Sequence, residues 1–304
     1  MKTTIKKIGL IPLILLLFLS SCTDSELKKV EPLYDHVPDI ARCIEGSLSA
    51  QEKQKIIKHI NGLRAAHSLP ALAFHDAEAA RAQKIALFVA ANGTVDAAPQ
   101  SSDYCYKDEV SASWNSSSRT FLGSHHNNWT ASDVHITGWM TDSANLSGRR
   151  RLLDPFLKDI AFGRVIGSPK KGDFKYVSTA AMTVGADAAP TDYKGGDFVA
   201  FPHGTCEAQY FSPDMILSFS VFNDKNSKAN NRHVDFSETQ IEITDGTREA
   251  EITDARYDYN PYGLPNNLQW KIAGIARNVT YNVKISKVRV AGQDKTYEYT
   301  IVIR

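Results

Sequence analysis

The chain has 304 residues, and its 35 basic and 34 acidic side chains give a formal net charge of +1. This near balance argues against a protein that holds nucleic acid through phosphate contacts. Apolar residues make up 42% of the sequence and aromatic residues 10%, which is enough for packed cores and argues against bulk disorder. The length predicts about two domains, and four cysteines are too few for a disulfide scaffold.

The N-terminus has the pattern of a secretory signal. Three lysines precede an apolar run at residues 8–19, which is shorter than the roughly 20 residues of a transmembrane helix. The Leu-Ser-Ser-Cys sequence that ends at Cys22 resembles the lipobox of bacterial lipoproteins. We therefore predict a signal peptide at residues 1–21 and a lipid on Cys22, with an ordinary signal peptide as the alternative. Cleavage would leave 32 basic and 34 acidic residues, a balance of −2, so lipid and not charge would supply the membrane contact.

Three cysteines remain beyond the one expected to carry lipid: Cys43, Cys105 and Cys206. An oxidising envelope would allow one disulfide, in any of three pairings, and would leave one thiol over. Three buried free thiols are the alternative. No Cys-x-x-Cys pair occurs and no cysteine stands beside an obvious base, so the sequence predicts neither a thiolate zinc site nor a cysteine nucleophile.

The mature chain begins with a segment typical of a tether, since residues 22–44 are polar and contain two prolines. Residues 49–52 read Ser-Ala-Gln-Glu, a capping box that predicts the start of a helix. A second helix is expected from Asp76 to the Asn-Gly pair at residues 92–93. Residues 94–129 are rich in Ser and Asn without a clear period, which predicts a long loop that is functional or tied down.

The pattern then changes from helical to extended. A third helix is expected at residues 130–140, and strands are expected at residues 159–166, 174–184 and 197–202. Helices followed by strands indicate an α+β domain, which we place at residues 45–211.

The last third of the chain has the alternating pattern of short strands. A small Ig-like β-sandwich is therefore expected at residues 212–304. The predicted strands lie at residues 216–221, 240–243, 268–272, 281–285 and 297–303.

Several short motifs in the α+β region resemble one protein family in their order and spacing. Residues 61–72 contain Asn-x-x-Arg and then Leu-Pro-x-Leu, and residues 148–155 read Gly-Arg-Arg-Arg-Leu-Leu-Asp-Pro. Further matches are Cys-Tyr at 105–106, Trp-Met-Thr-Asp at 139–142, Ile-Ala-Phe-Gly at 160–163 and Phe-Pro-His-Gly at 201–204. Together these resemble the CAP superfamily of cysteine-rich secretory proteins, antigen 5 and pathogenesis-related proteins. The likeness is to a bacterial lipoprotein branch with a β-rich tail.

The resemblance implies an α-β-α sandwich with a central antiparallel sheet. It also implies a cleft that in many members holds two His and two acidic residues, which can bind a divalent metal. This sequence has Asp96 and Arg149 near the two expected His positions, and Trp-Asn ending at Asn115 where many members read Glu-Asn. Only the acid at Asp142 matches, so we expect no metal and no other cofactor. Asp96, Asn115, Asp142 and Arg149 become candidates for cleft binding, with Asp96 and Arg149 as an ion pair.

Two further residues are candidates for catalysis. His135 and Asp142 are spaced to share one helix face, as a base and an orienting acid would. A half-buried helix face with a solvated histidine is the alternative. The histidine pair at 125–126, in the predicted loop, and His59 and His67, eight residues apart on the first helix, are expected to have structural or exposed roles.

These features favour binding over catalysis. We predict a lipid-anchored protein of the bacterial cell envelope, on the periplasmic or outer face of the outer membrane. It would bind a small-molecule, lipid, glycan or protein ligand and no nucleic acid. A hydrolase of peptide or cell-wall polymer that uses His135, Asp142 and Asp96 is the alternative, and a purely structural envelope protein is another.

Overall fold

The fold was analysed in a computed structural model of the chain. The residues that it describes are 31–95, 98–114, 119–144, 146–170, 176–185 and 192–304. The expected signal peptide, Cys22, Asp96 and Asn115 lie outside the described residues. Among the helices of the described ranges, none is long and apolar enough to cross a membrane.

Residues 31–44, expected to be the second half of a tether, lie against the rest of the fold. A 3-10 turn at Glu31–Leu33 leads into β1 (Tyr34–His36), which pairs antiparallel with β2 (Ser47–Leu48). The side chain of Ile40 is buried in an apolar cluster with Val89 and Val165. This segment has too many polar residues to look like core, yet Tyr34 and Ile40 are buried while Val37 and Ile44 are exposed.

The three cysteines of the described residues have two different states. Cys43 and Cys105 form a disulfide across a sequence separation of 62 residues. Cys206 is a buried free thiol. Of the alternatives open from the sequence, the structure therefore has one disulfide and one remaining thiol.

The described residues form five helices, of which α1, α2 and α4 were expected from local signals in the sequence. They are α1 (Ala50–Ala66), α2 (Asp76–Asn92), α3 (Asp108–Trp114), α4 (Ser132–Thr141) and α5 (Ser147–Leu152). The predicted N-cap is confirmed, because the Ser49 side chain accepts a hydrogen bond from the backbone N–H of Glu52. The reciprocal bond of a capping box is not formed, since the Ser49 N–H donates to the Leu33 carbonyl and the Glu52 carboxylate accepts from Ser132. The cap of α2 is His75 and not the expected Asp76, and the helix ends at Gly93 in the left-handed conformation.

The first sheet has the order β3-β5-β6-β4. Its strands are β3 (Ala73–Phe74), β4 (Arg119–His126), β5 (Asp159–Gly167) and β6 (Val177–Gly185). β6 pairs antiparallel with β4 and β5, and β3 pairs parallel with β5. The prediction of one long loop at residues 94–129 is wrong at α3 and β4. β4 lies at the edge of the sheet and contains Gly, Ser and two His residues, so its sequence lacks the alternating apolar pattern that predicts a strand.

Helices cover this sheet on both faces. α1 and α4 share one apolar cluster with Phe162 and Met182 of the sheet, whereas α2 packs with Val165 and Ala181 in a second cluster. The approach of α2 is close, because a Cβ added to Gly163 would lie 2.2 Å from the backbone nitrogen of Gln83. The structure is therefore of the mixed α+β kind that the sequence predicts.

The C-terminal part is built from two packed β-sheets. The first has the order β12-β13-β9-β7, and in the second β10 and β11 both pair with β14, followed by β15 and β8. The strands are β7 (Phe198–Phe201), β8 (Gly204–Cys206), β9 (Leu217–Val221), β10 (Val234–Asp235), β11 (Gln240–Thr244), β12 (Glu251–Asp258), β13 (Asn267–Ala273), β14 (Thr280–Val290) and β15 (Gln293–Ile303). The sequence missed β12 because it is a mostly exposed edge strand without clean alternation.

The chain enters these sheets earlier than residue 212. β7 pairs antiparallel with β9, and β8 pairs parallel with the last strand, β15. One apolar core runs from α1 through the first sheet into both C-terminal sheets. Residues 198–211 therefore belong structurally to the C-terminal part, and they also form one wall of the cleft described next.

Candidate functional site

A cleft of about 450 Å³ lies between α1 and the segment 201–210. On the α1 side it is lined by side chains that recur every three or four residues and so share one helix face. They are Lys55, Lys58, His59, Gly62, Leu63 and Ala66, followed by His67. We call this the α1 cleft. Its position follows from the fold, because β7 and β8 carry the segment 201–210 across the helix.

His67 forms the most buried polar part of the α1 cleft. It caps the C-terminus of α1, and its side chain is almost fully enclosed, with 8% exposure. Burial, and next the nearby His203, lower the pKa of His67 to about 3, against a hydrogen bond to the Ala200 backbone. Nδ1 of His67 has no hydrogen-bond partner among the described residues. The imidazole is therefore neutral at pH 7, and its Nδ1 is a buried acceptor in a side chain that lines the cleft.

His203 faces His67 from the opposite wall, with the two ring centroids 6.0 Å apart. Burial lowers its pKa, while a hydrogen bond to the backbone of Ala66 opposes that shift. Its ring also packs 5.7 Å from the ring of Tyr299, a residue of β15. The two histidines thus tie the end of α1 to the C-terminal sheets.

His59 and Tyr210 bridge the cleft about two turns of α1 before His67. Nε2 of His59 lies 3.1 Å from the Tyr210 hydroxyl. Burial lowers the pKa of His59, while the carboxylates of Asp133 and Glu207 favour its charged form. Burial raises the pKa of Tyr210. The pair therefore presents a polar, uncharged bridge at neutral pH.

Cys206 also borders the α1 cleft. Burial raises its pKa to about 11, even though Arg149 favours the thiolate. A cysteine nucleophile must be ionised, so this thiol is not one at neutral pH. In the described part of the chain, no three His, Cys, Asp or Glu side chains are grouped so that they could hold a metal ion.

His135, the candidate base, is buried inside the fold with 0% exposure. Its Nδ1 lies 2.8 Å from the Ser124 hydroxyl and its Nε2 lies 3.1 Å from the Ser178 hydroxyl. The Ser178 hydroxyl in turn donates to the Thr130 carbonyl. Burial, with Arg164 adding charge repulsion, lowers the pKa of His135 to about 2. Both ring nitrogens have partners, and the imidazole is too weak a base for proton transfer near neutral pH.

Asp142 does not share a surface with His135. It is exposed at the C-terminus of α4, where its carboxylate accepts a hydrogen bond from the Ala144 backbone. It lies near enough to Arg149 to favour the charged guanidinium. The i, i+7 spacing places His135 and Asp142 two turns apart on one helix face. His135 lies in the core at one end of this face, and Asp142 is exposed to solvent at the other.

Arg149 is fully buried, with 0% exposure, and does not line an open cleft. Its Nε donates to the Met140 carbonyl at 2.7 Å, and another guanidinium nitrogen donates to the Ile216 carbonyl. The guanidinium also stacks 4.5 Å from the centroid of the Phe201 ring. Arg149 therefore joins the end of α4 to the residues that enter β9.

Arg150 continues this contact between the two parts of the molecule. Its guanidinium pairs with Asp258 at 2.6 Å and donates to the carbonyls of Asn260 and Leu264. Its backbone carbonyl meets Gly263 so closely that a Cβ there would lie 2.3 Å from the oxygen. We call the contact made by Arg149 and Arg150 with the C-terminal sheets the arginine seam.

The α1 cleft was not predicted from the sequence, because its two walls, α1 and the segment 201–210, are far apart in the chain. His59 and His67 were assigned structural or exposed roles, yet both face the segment 201–210. One signal was present: Lys55, His59 and Gly62 form a stripe of polar and small residues on a helix whose opposite face is apolar. Beside Gly62 this stripe leaves open space next to the helix, and the cleft lies there.

Among the comparisons with known proteins, only that with solved structures found similar chains. No family model matches the sequence, and no curated protein matches it. A solved structure that the chain resembles is MpPR-1i, a pathogenesis-related protein of the CAP superfamily. The match covers 50% of this chain and 99% of that one, with 17% sequence identity and a TM-score of 0.33. At that TM-score the likeness carries no argument about family or function.

Proposed function

We propose that this protein is a lipid-anchored binding protein of a bacterial cell envelope, and that the α1 cleft is its ligand site. The sequence motifs support a divergent CAP-like domain followed by an Ig-like β-sandwich, with the anchor on Cys22. The observation that carries the binding role is the buried Nδ1 of His67, which has no hydrogen-bond partner among the described residues and belongs to a side chain that lines the cleft.

An unpaired buried acceptor is costly, because it loses its contact with water without gaining a partner. Leaving such a group unsatisfied costs about 1–3 kcal/mol, so folded proteins pair nearly all of them. A ligand that donates to this nitrogen would remove that cost. The cleft volume of about 450 Å³ also falls within the usual range of small-molecule sites.

The chemistry of the described residues favours binding over catalysis. The Cys206 thiol is protonated, and His67 and His203 are neutral members of hydrogen-bonded contacts between two parts of the fold. The hydrolase alternative relied on His135, whose lowered pKa of about 2 and saturated hydrogen bonds remove it as a base.

Gly62 allows a direct test of the binding role. A Cβ added there would meet no atom within 4 Å, so Gly62→Ala is tolerated, whereas Gly62→Trp would fill the cleft. We would measure the melting temperature of both variants and of the unaltered full-length protein in detergent, each with D-glucuronate, D-glucose, hexanoate or L-alanine. We expect at least one compound to raise the melting temperature of the unaltered protein and of Gly62→Ala, but not that of Gly62→Trp. A shift that survives in Gly62→Trp would rule out this cleft, and the absence of any shift would count against the binding role.

The anchor has a separate test. We expect Cys22→Ser to abolish labelling of the protein by a fatty-acid probe in cells and to move the protein from the detergent phase to the aqueous phase. Unchanged partitioning would show that Cys22 is not the anchor, whatever the result for the cleft.

A further inference from the structure

We infer that the α1 cleft takes a sugar acid, a hydroxylated ring that carries a carboxylate. This inference rests on the proposed function, because it names the ligand class of the same cleft. Three features of the lining support it: a neutral acceptor, a positive rim, and aromatic side chains beside polar ones.

The neutral acceptor is Nδ1 of His67, which requires a ligand atom that donates a hydrogen bond. A fatty acid at pH 7 has only acceptor oxygens and fails this requirement. An ammonium group could donate, but Arg64 and Arg149 lie close enough to disfavour positive charge at His67. A hydroxyl donates without carrying charge, so it suits this position best.

The positive rim is formed by Lys55 and Lys58, two exposed residues of α1 that line the cleft. Glu207 is the acid on the facing segment, and it accepts a hydrogen bond from the Gln209 amide at 2.7 Å. Among the side chains that line the cleft, two ammonium groups against one carboxylate leave an excess positive charge; the Asp133 carboxylate, which acts on His59 and Tyr210, lies outside the lining. A ligand carboxylate at this rim would be attracted to the lysines, and a neutral sugar would lack that attraction.

The remaining lining suits a ring with both apolar and hydroxylated sides. Phe201 and Tyr210 provide aromatic surface, with the Phe201 ring held in place by the Arg149 guanidinium. Thr205 and Gln209 provide a hydroxyl and an amide on the same segment. Small-molecule sites commonly combine apolar and aromatic walls with a few placed polar groups.

The test is titration calorimetry on the full-length protein in detergent, with D-glucuronate, D-glucose, hexanoate and L-alanine as probes. Glucose lacks the carboxylate, hexanoate lacks the hydroxyls, and alanine replaces the hydroxyl donor by an ammonium group. A short oligomer of galacturonate is a fifth probe, which distinguishes a free sugar acid from a residue of a polysaccharide. We expect D-glucuronate or the oligomer to bind about tenfold more tightly than glucose, hexanoate or alanine.

Two double variants assign the binding to the rim. Lys55→Gln/Lys58→Gln removes both rim charges, and Lys287→Gln/Lys295→Gln removes two exposed charges from β14 and β15. We expect the first pair to weaken glucuronate binding about tenfold and the control pair to leave it unchanged.

The possible results separate this inference from the proposed function. Equal binding of glucose, or glucuronate binding that ignores Lys55 and Lys58, would overturn the sugar-acid class. If hexanoate or alanine binds most tightly and Gly62→Trp abolishes that binding, the cleft is a ligand site of another class. If none of the five probes binds, the sugar-acid class is overturned and the binding role loses its support.

Discussion

The arginine seam and the α1 cleft lie on the same contact between the N-terminal α+β part and the C-terminal sheets, but their buried polar groups differ in what they bind. In the seam, Arg149 and Arg150 donate to backbone carbonyls and to Asp258 across the contact, although one guanidinium nitrogen of each has no partner among the described residues. In the cleft, His67 is equally enclosed and keeps a nitrogen without a partner. The difference indicates that the seam holds the two parts together, whereas the cleft leaves capacity for a ligand.

The same contrast separates the two most buried histidines. His135 uses both ring nitrogens on Ser124 and Ser178, so it closes a network in the interior. His67 is paired through one nitrogen only. Burial alone therefore does not distinguish a structural histidine from a ligand-facing one, but the count of its partners does.

The largest expected effect is on the seam. Arg149→Ala would leave the carbonyls of Met140 and Ile216 buried without a donor and would open a cavity beside Phe201. We expect it to lower the free energy of unfolding by about 3–5 kcal/mol. Urea denaturation measures this change. Arg151→Ala is the control, since its cation–π contact with Tyr262 is worth about 0.5–1 kcal/mol. Equal effects of the two variants would contradict a special role for Arg149.

A glycine of the seam gives the next largest effect. Gly263 has a φ of +69°, and a Cβ there would lie 2.3 Å from the Arg150 carbonyl oxygen. Gly263→Ala therefore combines a left-handed backbone with a clash against backbone, and we expect a loss of about 2–3 kcal/mol in the free energy of unfolding. Gly274→Ala is the matched control, with a φ of +81° and no atom within 4 Å of the added Cβ. A smaller loss for Gly263→Ala than for Gly274→Ala would show that the seam is loose at this point.

The pH dependence of the free energy of unfolding distinguishes the buried histidines from the arginine seam. The pKa of His67 is lowered to about 3 and that of His135 to about 2. Since the unfolded chain protonates these imidazoles below about pH 6.5 and the folded chain does not, the unfolded state binds more protons in this window. We expect the free energy of unfolding to fall with decreasing pH by about 1.4 kcal/mol per pH unit for each histidine.

Substitution assigns this pH dependence to individual residues. Urea denaturation between pH 6 and pH 4 should show a shallower slope for His67→Gln and for His135→Gln than for the unaltered protein. Arg149→Ala should leave the slope unchanged, because burial lowers the pKa of Arg149 only to about 9. An unchanged slope in both glutamine variants would mean that these imidazoles are protonated in the folded state.

Local signals in the sequence predicted many of the elements, but not α3, β4 or β12, and long-range pairing determined the site. The Ser-Ala-Gln-Glu sequence at residues 49–52 was sufficient to place the start of α1, because the N-cap bond between Ser49 and the Glu52 N–H lies within one turn. The strand pattern near residue 200 was also predicted, but its partner was not. β8 pairs Gly204 with Ile301, and no local pattern encodes a pairing across about a hundred residues.

The candidate residues failed for the same physical reason. His135 was expected to face a cleft because helix periodicity identifies a face, but it does not say what covers that face. Ser124 and Ser178, from two strands, cover it here. The arginine at 149 was expected in the cleft by resemblance, and the residues entering β9 enclose it instead.

The smallest expected effect tests whether the cleft is truly open at α1. In a helix interior, alanine is more stable than glycine by about 0.5–1 kcal/mol, because glycine loses more backbone entropy on folding. A Cβ at Gly62 meets no atom within 4 Å, so Gly62→Ala should gain this amount in the free energy of unfolding. Gly138→Ala in α4 has the same open surroundings away from the cleft and should gain as much. If Gly62→Ala loses stability while Gly138→Ala gains it, the facing segment 201–210 must lie against the helix. A closed wall at that position would leave His67 buried without access for any ligand.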